Sequence, residues 1–181
     1  MSALTGNFLR VVAKNRRLFA VPAMIRAFLA LPLPEPVLSA LRVQQFLLPL
    51  PRKEPPENFH LTLVFLGEQP EPDLRAAHEG FAALRLPRFS LTLQGLGLFG
   101  GAKPRAAWAG VAPSDPLMRM QAKLEQSARL SGIPVESRRY VPHVTLGRFT
   151  PPNAEDTMRL ERAIAGGMDF RSPPFAVEEV I

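Results

Sequence analysis

Hydrophobic positions along the chain switch repeatedly between strand and helix periods. From Met24 the run MIRAFLALPLP has the apolar density of a strand, and Pro34-Glu35-Pro36 then predicts a helix to about Leu48, because proline and an acid suit a helix's first turn. A proline-dense loop, Pro49 to Pro56, separates this unit from FHLTLVFL over Phe59–Leu66, which predicts a strand closed by Gly67. Leu74, Ala77, Phe81 and Leu84 recur at helical spacing and predict a helix from Pro72 to Leu84. Phe89 to Leu93 is strand-like, and the glycines of GLGLFGGAKPR predict a turn region. That segment lacks the strand-to-helix context of a dinucleotide-binding loop, and no Walker-type Lys-Ser/Thr follows it.

The second half repeats the alternation. AAWAGV over Ala106–Val111 reads as a strand, and Ser114-Asp115-Pro116 is a cap-and-proline start for a helix that ends at Gly132, a residue suited to a helix C-terminus. HVTLGRF from His143 predicts another strand, a shorter helix falls near Ala154–Ala165, and FAVEEVI from Phe175 predicts a last strand. Helices alternating with strands imply sheets covered by helices on one side. The first 23 residues do not continue into this pattern and are expected to be a loosely ordered or upstream-start extension, with Met24 to Ile181 forming the domain. Arg26 interrupts the apolar stretch and argues against a secretory signal, whereas an acid-free, arginine-bearing presequence for an organelle stays open.

Composition narrows the chemistry. The chain has 181 residues, 46% hydrophobic and 21% charged, which suits one globular domain or two small lobes sharing a core. It has no cysteine, which excludes disulfides, thiolate metal sites and cysteine nucleophiles and fits a reducing compartment. No apolar run approaches the roughly 18 residues that would span a bilayer, so a soluble, cytoplasmic protein with no membrane contact and no obligate protein partner is expected. Net charge is +6, but residues 1–23 hold four basic residues and no acid, leaving 18 basic against 16 acidic elsewhere. A polyanion grip by the whole surface is therefore not indicated. Between Gly101 and Arg148 eight basic residues face three acids, and an anion site belongs there if anywhere.

Two of the three histidines stand in matching contexts, Phe59-His60-Leu61-Thr62-Leu63 and Pro142-His143-Val144-Thr145-Leu146, one in each half. Strand side chains alternate faces, so His60 and Thr62 share one face while Leu61 and Leu63 share the other, and the second strand does the same. His78, in AAHEG, reads as a helix-surface residue. If the halves pack with pseudo-twofold symmetry, two His-Thr pairs face one cleft. Two imidazoles and two hydroxyls without a matched carboxylate or cysteine make a weak metal site and no nucleophilic triad. They do make an acid/base pair, because an ordinary histidine titrates near neutrality and one ring can be neutral while the other is protonated. Threonine hydroxyls and a nearby arginine suit phosphoryl oxygens, so phosphoryl transfer at a diester is the implied reaction.

These residues resemble the two-histidine (2H) phosphoesterases, and within them the RNA 2′,3′-cyclic phosphodiesterases once called 2′-5′ RNA ligases. The resemblance runs from about Ile25 to Val180. RAFLALPLP matches the opening strand, ENFHLTLVFLGE the first motif, LTLQGLGLFGGAKPRAAWAGV a central hairpin and YVPHVTLGRF the second motif. It implies an α+β fold of two pseudo-symmetric β/α lobes, antiparallel sheets forming a central cleft and helices on the outer faces. It further implies that His60 donates a proton to the leaving 3′ oxygen and His143 accepts one from water. Thr62, Thr145 and Arg148 would hold the phosphate, no metal or cofactor would be needed, and the partner would be RNA or an oligonucleotide ending in a 2′,3′-cyclic phosphate. From the residues alone, either histidine suits either role. In relatives the chain commonly continues beyond the strand matching FAVEEVI, so a missing or shortened closing element is expected. Phe59, Phe65, Trp108, Tyr140 and Phe149 are candidates for stacking on a base. The alternatives are a nucleotide-binding module without turnover and weak 2′-5′ end-joining.

Overall fold

The computed structural model describes residues 23–136 and 138–181, so the expectation of an N-terminal extension falls almost wholly outside the described residues. Five antiparallel strands form the main sheet in the order β1-β2-β6-β5-β4, where β1 is Met24–Pro32, β2 His60–Pro70, β4 Leu93–Phe99, β5 Ala106–Val111 and β6 His143–Arg148. Strands β3 (Phe89–Leu91) and β7 (Phe175–Val177) form a separate antiparallel pair. The α+β class, with antiparallel strands and flanking helices, is as expected. The halves meet at β2 and β6, joined through the registered pair Leu61↔Val144, so the two motif strands are neighbours at a seam.

Four helices cover one face: α1 (Glu35–Leu47), α2 (Glu71–Ala82), α3 (Asp115–Leu130) and α4 (Ala154–Gly166). Their starts follow the local chemistry. Ser114 Oγ accepts from the Leu117 N–H at 3.3 Å, Asn153 Oδ1 accepts from Asp156 N–H at 2.9 Å, and α1 and α2 each begin with proline and acidic residues. Gly132 adopts φ 81° just past α3, a left-handed conformation that a side chain would disfavour. Helix α1 lies against β6 and α3 against β2, so each half's helix supports the other half's motif strand. The core between sheet and helices contains Leu31, Leu61, Val144 and Leu146 from the strands and Leu41, Leu117, Met120, Leu124 and Leu160 from the helices, each at most 2% exposed. None of the helices among the described residues is long and apolar enough to cross a membrane.

Three expectations need correction. Leu93–Phe99 is a full strand, paired with β5 from Phe99↔Ala106 to Leu93↔Val111, and the turn is confined to residues 100–103, with Gly100 and Gly101 at φ 115° and 57°. The glycines misled because they serve packing: Gly97 sits opposite Trp108, whose indole occupies the space a Cβ would need. Strand β2 does not close at Gly67 but continues to Pro70, with Gly67 at φ 72° beside a register shift against β1. FAVEEVI breaks after Val177, with Glu178 and Glu179 exposed beyond it. Farther on, Ile181 exchanges two backbone hydrogen bonds with Ala30 on the outer edge of β1, both 2.8 Å. At the opposite edge, Gly95 N–H donates to Phe170 O and Ser172 N–H to Leu93 O, so the C-terminal segment touches both edges of the main sheet.

Candidate active site

Antiparallel pairing centred on Leu61↔Val144 sets His60 across from Thr145 and Thr62 across from His143. Leu61 and Val144 are fully buried on the helix side, and the four polar side chains are half-buried on the other. The structure therefore brings together both sequence-predicted pairs. Arg148, at the end of β6, donates from Nη2 to Thr145 Oγ1 at 3.4 Å and so belongs to the same face.

The two histidines are held alike. His60 Nδ1 lies 2.7 Å from the Asn58 carbonyl and His143 Nδ1 lies 2.7 Å from the Val141 carbonyl, in each case two residues upstream. A carbonyl only accepts, so Nδ1 carries the proton in both neutral rings and Nε2 is left as the atom that exchanges one. Aromatic neighbours fix the ring planes. Phe28 of β1 stacks on His60 at 4.8 Å between centroids with a 17° interplanar angle, and Phe99 of β4 meets His143 edge-on at 4.8 Å and 80°. Trp108 of β5 lies 6.3 Å from His143.

Electrostatics separates the pair. Burial, the largest influence, pushes both histidines below their ordinary value, and the carbonyl bond at Nδ1 opposes it in both. Around His60 the Glu54 carboxylate also raises the affinity for a proton while Arg148 lowers it. Around His143 no carboxylate among the described residues plays that part; Arg148, Arg138 and His60 all lower it. Tyr140 donates its hydroxyl to the Thr62 carbonyl at 3.0 Å, and burial pushes its phenol far above the ordinary range, so it acts as a fixed donor that secures β2.

Sequence reasoning missed Glu54, Asn58, Arg138, Phe28 and Phe99. Asn58 contributes a main-chain carbonyl, which any residue could supply, and Glu54 is one acid in a proline-dense loop, so neither leaves a sequence signature. Among the stacking candidates, Phe59 is core at 5% exposure, while Phe65 is 42% exposed with the Arg138 guanidinium 5.8 Å above its ring. His78 lies on α2 half-buried rather than on the surface, and its Nδ1 is enclosed without a hydrogen-bond partner among the described residues. No three His, Cys, Asp or Glu side chains among the described residues gather into a metal-binding group. A concavity lined by Pro32, Leu33, Pro34, Phe175, Val177 and Glu178 includes neither motif histidine.

The chain is 39% identical over 95 residues to the RNA 2′,3′-cyclic phosphodiesterase of Aeropyrum pernix, a match covering 51% of this chain and 54% of that relative. To the Thermus thermophilus protein of the same name it is 34% identical over 143 residues, covering 71% of this chain and 70% of the relative. The chain spans about half the length of the first two curated relatives it matches. Among solved structures, E. coli LigT complexed with 3′-AMP superposes with a TM-score of 0.70 at 26% identity, over 87% of this chain and 86% of that one. The family model of the 2′-5′ RNA ligase superfamily matches residues 32–180, and the chain belongs to that superfamily.

Proposed function

We propose that this protein hydrolyses the 2′,3′-cyclic phosphodiester at RNA or oligonucleotide ends to a 2′-phosphomonoester by two-histidine acid/base catalysis. The observation that carries the reading is the pair of Nδ1-anchored histidines, each with a threonine across the β2/β6 seam. The names of the curated relatives supply the substrate class.

In this mechanism His143 Nε2 takes a proton from water as the water oxygen bonds to phosphorus, and protonated His60 gives its Nε2 proton to the departing 3′ oxygen. One P–O bond forms and one breaks, and the two histidines exchange protonation states, to be reset by solvent. Thr62 and Thr145 hold nonbridging oxygens. Arg148, already beside Thr145, balances the charge that grows on the phosphorane. General acid or base catalysis contributes about 10²–10⁴-fold per group, which sets the scale of the test. His60→Ala and His143→Ala should each lose at least about a hundredfold in kcat on a 2′,3′-cyclic nucleotide while keeping a folded circular dichroism spectrum, and chelators should leave the wild-type rate unchanged. Retention of wild-type turnover in both variants overturns the reading.

A further inference from the structure

The two histidine motifs are close to interchangeable in backbone geometry, so something outside them must decide which ring gives a proton and which takes it. We propose that Glu54, positioned by Asn58, makes His60 the donor and leaves His143 the acceptor. The inference rests on the hydrolytic reading above and adds a positioning residue to it.

The geometry is specific to one side of the seam. Glu54 is held at its backbone by two contacts: its N–H donates to Leu146 O at 2.9 Å, and its carbonyl accepts from Gln45 Nε2 at 2.6 Å. Its carboxylate is held by Asn58, whose Nδ2 donates to Glu54 Oε1 at 3.1 Å. The same Asn58 supplies, through its main-chain carbonyl, the acceptor for His60 Nδ1. One residue therefore fixes both the imidazole and the negative charge that acts on it. The side-chain amide and the main-chain carbonyl of Asn58 are not conjugated, so the carboxylate works through space and the asparagine works by placement.

On the other side the loop ahead of the histidine carries the opposite charge. His143 Nδ1 bonds to the carbonyl of Val141, whose side chain can hold no carboxylate, and the preceding loop brings Arg138 instead. Among the described residues, the charged groups that act on the rings are Glu54 and Arg148 for His60, and Arg148, Arg138 and His60 for His143. Phe28 stacks on the first ring, and Phe99 and Trp108 lie against the second. Arg148 acts on both rings and so does not discriminate between them. The opposed signs of Glu54 and Arg138 do discriminate, and both favour a protonated His60 beside a neutral His143.

Glu54→Gln is the informative variant, because a glutamine keeps an oxygen for the Asn58 amide and removes only the charge. Titration of ¹⁵N-labelled imidazoles by NMR should show the His60 midpoint moving to lower pH in Glu54→Gln while that of His143 stays. In the pH–rate profile the alkaline limb, set by the acid, should move down and the acidic limb, set by the base, should hold, narrowing the bell. Asn58→Ala keeps the main-chain acceptor but frees the carboxylate, and should shift His60 in the same direction by less. An unmoved His60 midpoint in Glu54→Gln, or equal movement of both histidines, overturns the assignment to Glu54; an unmoved midpoint in Asn58→Ala overturns the role of Asn58. The NMR arm needs no turnover, so a failure of the charge asymmetry is distinguished from a failure of the hydrolytic reading.

Discussion

A methyl group on residue 97 would lie 2.5 Å from Cη2 and 2.7 Å from Cε2 of Trp108, and closer still to Cζ2. Carbon atoms prefer separations of about 3.5–4.0 Å, so Gly97→Ala drives the indole off the sheet. The ring has little room to slide sideways: a Cβ on Gly110 would lie 3.1 Å from Cζ3, Phe99 sits 5.2 Å away between centroids and His143 6.3 Å. Overpacking of this kind costs about 1–3 kcal/mol. In a chain of this size that lowers Tm by roughly 5 °C near the middle of the range. The assay is unusually direct, because Trp108 is the single tryptophan and its Nε1 is enclosed without a hydrogen-bond partner among the described residues. Displacement should hydrate that N–H and shift the emission to the red, and kcat/KM should fall as the indole presses on His143. Gly166→Ala is the control, since a Cβ there meets nothing within 4 Å and alanine suits the end of α4; it should stabilise by about 0.5 kcal/mol. Wild-type emission and wild-type stability in Gly97→Ala would refute the argument that the glycines exist to seat the tryptophan.

Other outcomes follow from the same contacts. Burial holds both histidines below their ordinary 6.5, so the unfolded chain binds more protons under mildly acidic conditions; stability should be fully present above about pH 6.5 and fall as pH drops through the depressed values. Urea midpoints measured across that range should show the slope, and His60→Gln with His143→Gln should flatten it. Gln45, 6% exposed, donates to the carbonyls of both Glu54 and Leu146; Leu146 O keeps the Glu54 N–H when Gln45 is lost, so Gln45→Leu strands the Glu54 carbonyl and should cost about 1–3 kcal/mol in denaturant unfolding. Tyr140→Phe removes the hydroxyl that satisfies the Thr62 carbonyl and should cost about 1 kcal/mol, also by denaturant midpoint. Arg138→Gln should raise the His143 midpoint and move the acidic limb of the pH–rate profile upward, and a limb that stays in place would count against the charge asymmetry.

The motif strands were legible because alternation is local: Leu61 and Val144 had to face a core, and the histidines and threonines had to face away from it. Helix α3 was legible for the same reason, with Ser114 and Gly132 marking its ends. Strand β4 was not, because Gly95 and Gly97 answer to Trp108 and to the Met168 main chain rather than to their own neighbours in sequence. The seam between β2 and β6 and the placing of Glu54 beside His60 depend on contacts between distant segments, through Gln45 and Leu146, and such contacts leave no period in the chain.

The docking of the C-terminal segment on both outer strands governs how molecules of this protein behave toward one another. Strand β1, MIRAFLALP, is apolar and lies at the margin of the sheet, and an unpaired margin of that kind recruits strands from other copies. Ile181 occupies the donor and acceptor of Ala30, and residues 170–172 do the equivalent on β4. Trimming Val180 and Ile181 would therefore free a sticky border without touching the catalytic face, and the truncated protein would precipitate or form oligomers at concentrations where the full chain stays dispersed.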